Sequence, residues 1–275
     1  MVVFSVLGAA MLSLTSSSTF SQVASTSATK AYYLAEAGMR YAASEFRNAG
    51  NEDAKDNRME AIHNHNFAMS SEGSFHLDIY PYYFKTTTDP NGTVSLHAKF
   101  PGGVPTGMAI PTSGYLKIRS EDAPRQYTSY TQSGSTITFT MAATLPSFTI
   151  NSNVLPVGLA SSTTLSKSGN LTLSSGAGAF PLINGTFTIG TSASTKSSDN
   201  NVYAYKTRSG STLQGVTLSQ TPTQAFTATV PANAYITSMK FVNVQSRGTV
   251  APGSPLEAIR TIDYSIPIGW VSGSG

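Results

Sequence analysis

The sequence predicts an α+β chain: a long N-terminal α-helix followed by an all-β head, sandwich-like, in one or two subdomains with an internal repeat. Three observations carry that prediction. The first 48 residues read as a helical segment that Asn48 and Gly50 stop. Beyond them, short apolar stretches alternate with clusters of Pro, Gly, Asn and Ser. One block of the head, 110–141, returns in outline at 180–218. The expected segments are 1–48 for the helix, 49–145 for a first β-rich subdomain and 146–275 for a second.

Met1–Leu14 (MVVFSVLGAAMLSL) is apolar apart from Ser5 and Ser13, and Lys30 is the first charged residue. No basic segment precedes the run and no small-x-small site ends it, which argues against a cleaved signal peptide. Fourteen residues also fall short of the about 20 that a spanning helix needs. Ser13–Thr29 holds 11 Ser or Thr among 17 residues. Hydroxyls compete for the backbone, so this stretch is a mediocre helix former. The following AYYLAEAGMRYAASEFRNAG is a better one, with Tyr33, Ala37 and Tyr41 at helical spacing beside Leu34 and Gly38. A continuous helix over 1–48 is roughly 70 Å long. No single globular head buries that length, so the helix calls for a membrane, a partner helix, or both. The low propensity of Ser13–Ala28 predicts partial unwinding there in an assembled polymer, with Met1–Leu12 and Ala31–Phe46 staying helical. Close packing of small hydroxyl residues is the opposing effect.

The order of an apolar start, a Ser/Thr-rich middle and the run Ala31-Tyr32-Tyr33-Leu34-Ala35-Glu36-Ala37-Gly38-Met39 resembles the N-terminus of PilX-type members of the type IV pilin superfamily. The resemblance covers about the first 48 residues, and the YLAEAG run is its distinctive part. It implies a subunit held first in the inner membrane by the apolar half-helix, with the half-helices later packing as the core of an extracellular, cell-surface filament. On that basis Val3, Phe4, Leu7, Met11, Leu14, Tyr33, Leu34 and Tyr41 are expected to line the assembly helix. The partners implied are further copies of the chain or other pilins. The family's Gly-Phe cleavage junction and early glutamate are unmatched, Ser5 standing where an acid is expected. With the short apolar run, this gives the expectation that roughly ten residues precede Met1; the alternative is a mature chain that starts at Met1 and lacks the glutamate.

Composition bounds the class independently of that resemblance. Charged residues are 11% of 275 and hydrophobic ones 40%, against about a quarter charged in ordinary globular chains. The net charge of +3 comes without any Lys/Arg run, so nucleic acid is not expected as the primary partner. The absence of cysteine excludes disulfides and thiolate metal sites.

In the head, residues 45–60 concentrate charges of both signs and read as a solvated helix end and connecting loop. Phe75, Leu77 and Ile79 alternate with His76 and Asp78, and Val94, Leu96 and Ala98 with Ser95 and His97. The turn signal Asp89-Pro90-Asn91-Gly92 between them suggests a hairpin or meander. The repeat aligns Ile110-Pro111-Thr112-Ser113-Gly114 with Phe180-Pro181-Leu182-Ile183-Asn184-Gly185, one residue longer. Each copy leads to a tyrosine pair, Tyr127/Tyr130 or Tyr203/Tyr205, and then to Ser-Gly-Ser-Thr at 133–136 or 209–212. This predicts one small β-unit used twice, with equivalent Ser-Gly turns.

Catalytic patterns are missing. There is no G-x-S-x-G elbow, Walker loop or dinucleotide fingerprint, and most of the 14 acids precede residue 125. No enzyme activity, cofactor or metal is expected, and His63, His65, His76 and His97 lack ligand spacing. Tyr80, Tyr82 and Tyr83 around Pro81 read either as core packing or as candidate surface-binding aromatics, with glycans as the ligand class of the second reading. The expected function is the structural subunit of a type IV pilus-like filament. The alternatives are a minor tip pilin or adhesin, or a membrane-anchored surface-binding β-module that never polymerises.

Overall fold

The computed structural model describes residues 2–69, 73–118, 123–191, 194–197, 201–254 and 257–267. Helices α1 (Val2–Asn48) and α2 (Glu52–Ile62) come first, then β1 (His65–Ala68) and β2 (Gly73–Pro81). β3 (Phe84–Thr86), β4 (Ser95–Lys99), β5 (Gly114–Ile118), β6 (Arg125–Ser133), β7 (Thr136–Met141) and β8 (Asn153–Ala160) follow. Next are β9 (Thr163–Ser166), β10 (Gly169–Ser175), β11 (Thr186–Thr191), β12 (Ser194–Ser197), β13 (Tyr203–Ala204), β14 (Thr207–Ser209) and β15 (Thr212–Leu218). β16 (Thr227–Val230), β17 (Tyr235–Ser238), β18 (Phe241–Val250) and β19 (Ala258–Pro267) complete the series. An N-terminal helix and a mostly β body are thus as expected.

The chain forms two compact units: Met1–Asn48 with Ile62–Asp78 and Val244–Tyr264, and Ala49–Ala61 with Ile79–Asn243 and Ser265–Gly275. This cuts across the expected segments 1–48, 49–145 and 146–275. Helix α1 shares a unit with strands from both ends of the head, because its apolar stripe is covered by sheet residues remote in sequence.

In the first unit, α1 belongs with a four-stranded sheet of order β1-β2-β18-β19. The buried side of α1 is Ser27, Ala31, Ala35, Gly38, Met39, Ala42 and Phe46, which recur every three or four residues, with Gly38 and Met39 adjacent, as one helical face. Its small side chains bring backbone against backbone. A Cβ on Gly248 of β18 would collide with the Ala31 carbonyl oxygen and lie 2.6 Å from the Ala35 nitrogen. Beside this contact, Phe67 and Phe75 stack at 5.0 Å and Tyr41 tilts against Phe67 at 4.9 Å. β2 alternates buried and half-buried from end to end, as the Phe75-Leu77-Ile79 pattern predicts.

Helix α1 is unbroken through the Ser/Thr-rich stretch in the single chain. Thr26 Oγ1 donates to the Gln22 carbonyl at 2.9 Å and Thr29 Oγ1 to the Ser25 carbonyl at 3.0 Å. The hydroxyls therefore bond within the helix rather than against it. The unwinding expected for an assembled polymer is not a feature of this isolated helix.

In the second unit the strands close into rings instead of the expected facing sheets. Antiparallel pairings run β8-β3-β4-β7-β6-β5 and back to β8. A second circuit runs β8-β10-β15-β13-β11-β17 and back to β8. Two six-stranded barrels thus share β8. Asn153 and Val154 pair with β3 and Val157–Leu159 with β17, the change from β3 to β17 falling opposite β5, which pairs with Val154–Val157. Pro156, which has no N–H to give, lies at this changeover.

The predicted repeat is visible in these pairings. β5, β6 and β7 occupy in the first barrel the places that β11, β13–β14 and β15 occupy in the second. Gly134 and Gly210 take positive φ of 58° and 56° at the two Ser-Gly turns, as a two-residue hairpin loop requires. Each barrel has its own core. Phe84, Phe100, Phe139 and Tyr127 meet in the first, and Phe187, Tyr203, Tyr205 and Ile236 in the second. Closure leaves no free edge within a ring, which suits a polar, low-charge β body without disulfides.

Two local expectations are corrected. β2 and β4 are not a hairpin. The Pro90–Gly92 turn instead joins β3 to β4, where Lys85 pairs with Lys99 and Thr86 with Ala98, because β2 is taken up by the other sheet. The charged segment 45–60 is not only a solvated end: it forms α2, with Asp56 and Met59 buried. Trp270 lies outside the described residues.

Candidate assembly and display surfaces

Of the expected assembly residues, Val3, Phe4, Leu7, Met11 and Leu14 lie on the backbone of α1, but their side chains fall outside the described ones. The described side chains just beyond them, Thr19 and Ser21–Thr26, are all exposed, Val23 included. Burial begins at Ser27. The exposed stretch and the buried stripe therefore meet within one turn of helix.

The later three residues divide by face. Leu34 is half-buried and reaches over Gly73, where its Cδ1 would lie 2.6 Å from an added Cβ. Tyr41 is half-buried in the Phe67–Phe75 cluster. Both serve packing inside the first unit. Tyr33 is 63% exposed and meets the half-exposed Tyr32 edge-on at 6.0 Å. Tyr32 also lines an open groove of about 340 Å³ with Met39, Ile262 and Tyr264. Glu36 and Arg40, ion-paired at 2.6 Å, border it.

The candidate surface aromatics are corrected. Tyr82 and Tyr83 are buried, at 4% and 0% exposure, and Tyr80 is half-buried. Tyr82 packs edge-on against Phe241 at 5.9 Å, and burial raises its phenol above the ordinary value. Tyr83 donates its hydroxyl to Asp56 Oδ1 at 2.6 Å. An alternating aromatic pattern around a proline reports amphipathic strand ends, and here the sheet and α2 cover them.

Tyr83 leads to a cluster that the sequence reading missed. Asp56 is 5% exposed and is bridged by Lys85 and Lys240, themselves 3% and 5% exposed. Lys85 Nζ also reaches Asp53 Oδ1 at 3.0 Å and donates to the Asn151 carbonyl at 2.9 Å. Lys240 sits 4.6 Å from the centre of the Tyr83 ring, a cation–π contact. The available signal was a lysine directly after the aromatic run Tyr82-Tyr83-Phe84 and another inside Met239–Val244, since lysine is almost never fully buried unless paired.

Among the described residues no group of three or more His, Asp or Glu side chains is placed to hold a metal. His76 Nε2 lies 3.3 Å from Asp78 Oδ1. His63 is held below its ordinary value by burial, with Asp78 opposing and His76 reinforcing the shift. Among the described residues no helix is long and apolar enough to cross a membrane. No protein-family model, curated protein sequence or solved structure matches the chain.

Proposed function

We infer that the chain is the structural subunit of a type IV pilus-like cell-surface filament, anchored in a membrane before assembly and polymerising through the N-terminal half of α1. One observation carries this reading. The C-terminal half of α1 has its small-residue stripe covered by the sheet of its own unit, whereas the described side chains from Thr19 to Thr26 are exposed. A helix of 47 residues whose described side chains from Thr19 to Thr26 are exposed draws stability from neighbours, since isolated helical segments are marginal in water. Copies of the same half-helix supply such neighbours, and the Ser/Thr content suits close helix packing. The PilX-type run Ala31–Met39 spans the stripe that docks on the sheet. The role is structural, not catalytic. Electron micrographs of surface fibres, with mass spectrometry of the sheared material, test it: the chain is the bulk component if the reading holds, and absent from the fibres if it fails.

A second reading, display at the filament tip, has its own observation. The chain leaves the first unit at Asp78 and returns to it at Val244. The two barrels are therefore an insertion between strands of the helix-bearing unit, an arrangement suited to carrying a module. A few copies per fibre, located at one end, favour this role over that of repeating subunit.

A further inference from the structure

We propose that Asp56 and Lys240 condense into an intramolecular amide, a covalent clasp in the second unit. The reacting groups are already placed. Lys240 Nζ lies 3.0 Å from Oδ1 and 3.2 Å from Oδ2 of Asp56, between the two carboxyl oxygens, and both residues are 5% exposed. The two oxygens have different neighbours. Oδ1 accepts the Tyr83 hydroxyl at 2.6 Å, and Oδ2 faces the Lys85 ammonium.

That asymmetry matches what amide formation requires. Within the ion pair a proton passes from the Lys240 ammonium to the Asp56 carboxylate, giving an amine and a carboxylic acid. The nitrogen lone pair attacks Cγ and the C–N bond forms, while charge builds on Oδ1, where the Tyr83 hydroxyl receives it. The Cγ–Oδ2 bond then breaks and the hydroxyl leaves as water, with the proton released from nitrogen and relayed by Lys85. One carboxylate and one ammonium become one secondary amide and one water. No oxidant, reductant or co-reactant is needed.

Two physical terms favour the forward direction. Reactants held at contact have effective concentrations far above any solution value. Replacing a buried ion pair by a neutral amide removes the desolvation cost of two charges. The choice of lysine follows from the other contacts. Lys85 keeps Asp53 at 3.0 Å and the Asn151 carbonyl at 2.9 Å when Asp56 is consumed, so it retains a counter-ion.

The bond links α2 to the residue just before β18, and closes a loop that contains both barrels. Tension between the segments before Asp56 and after Lys240 then passes through the amide and not through the barrels. A chain without cysteines gains by this route the constraint that a disulfide supplies elsewhere.

Intact mass spectrometry of the purified full-length chain, with folding checked by near-ultraviolet circular dichroism, is the test. The expected mass is one water below the sequence mass, and proteolysis yields a branched peptide joining the Asp56 and Lys240 segments. Lys240→Arg restores the full mass. Tyr83→Phe slows the appearance of the light form about 100-fold in pulse-labelled chain, by analogy with loss of an oxyanion donor. A folded wild-type chain at full sequence mass overturns the proposal, as does a branched peptide that carries Lys85 in place of Lys240.

Discussion

Tyr127 and Tyr205 make the same hydrogen bond in the two barrels, the first to the Pro111 carbonyl at 2.9 Å and the second to the Pro181 carbonyl at 2.7 Å. Each tyrosine also faces the glycine that follows its proline. Gly114 pairs with Tyr127, and the Tyr205 N–H donates to the Gly185 carbonyl. A side chain on either glycine would meet the phenol, in contact at 3.0 Å for Gly114 and in outright collision for Gly185. The proline, the glycine three or four residues on and the downstream tyrosine are therefore one device: the proline offers a carbonyl, the glycine makes room, and the phenol ties the strand start to its neighbour.

Tyr205→Phe removes the phenol donor and leaves the Pro181 carbonyl unpaired in a buried place. The expected loss is about 1–2 kcal/mol in denaturant unfolding, and Tyr127→Phe costs less because its hydrogen bond is only part-buried. Equal and negligible effects in both variants would show that the shared hydrogen bond does not hold the barrels.

Alkaline pH acts through the same two groups. Burial is the leading cause that holds both phenols well above their ordinary value of 10.0; the neighbouring Tyr130 adds to it for Tyr127, and Arg208 opposes it for Tyr205. The folded chain thus keeps protons that the unfolded chain gives up. Their contribution is complete below about pH 10 and is lost as pH rises through the folded values. A base titration followed by tyrosinate absorbance and circular dichroism should show unfolding with steep ionisation. The Tyr127→Phe/Tyr205→Phe double variant should lose stability less steeply over that range.

Gly248→Ala places a methyl group against the Ala31 carbonyl oxygen and the Ala35 nitrogen. Both are helix backbone atoms and cannot rotate away, so the helix must lift from the sheet. The expected cost is about 1–3 kcal/mol, confined to the first unit. Hydrogen exchange should show faster exchange across Ala31–Phe46 with β3–β17 unchanged; uniform protection in the variant would refute the close-packing account.

Val23→Glu tests the filament reading apart from the fold. Val23 is 38% exposed on the stretch of α1 that precedes the buried stripe, so a carboxylate there leaves thermal unfolding within about 0.5 kcal/mol of the parent. In a bundle of helices the same carboxylate has no water to face. Fibre counts by electron microscopy should fall to background, and normal fibres containing the variant would count against assembly through this segment.

Much of the fold was legible because its signals are local. The Phe75-Leu77-Ile79 alternation became β2, the stop at Asn48 ended α1, and the two Ser-Gly-Ser-Thr blocks became equivalent turns. Burial of individual aromatics was less legible. Tyr33 and Tyr83 are both tyrosines in apolar company, yet one is 63% exposed and the other 0%. Helical spacing and strand alternation say which side chains share a face; they do not say whether another element covers it.

By itself, the sequence determined the long helix, the strand-rich body, the duplicated unit that runs from a Pro/Gly turn to Ser-Gly-Ser-Thr, and the absence of any cysteine-based constraint. These follow from backbone propensity, turn chemistry and composition, which act over a few residues. Only the tertiary structure decided that both barrels close on β8, that the barrels interrupt a helix-bearing unit, and that Asp56 meets Lys85 and Lys240. Strand closure and charge pairing join residues far apart in the chain, such as the 184 positions between Asp56 and Lys240. Local pattern does not encode which of many compatible partners a strand edge or a buried charge selects. That selection rests on packing the whole body at once.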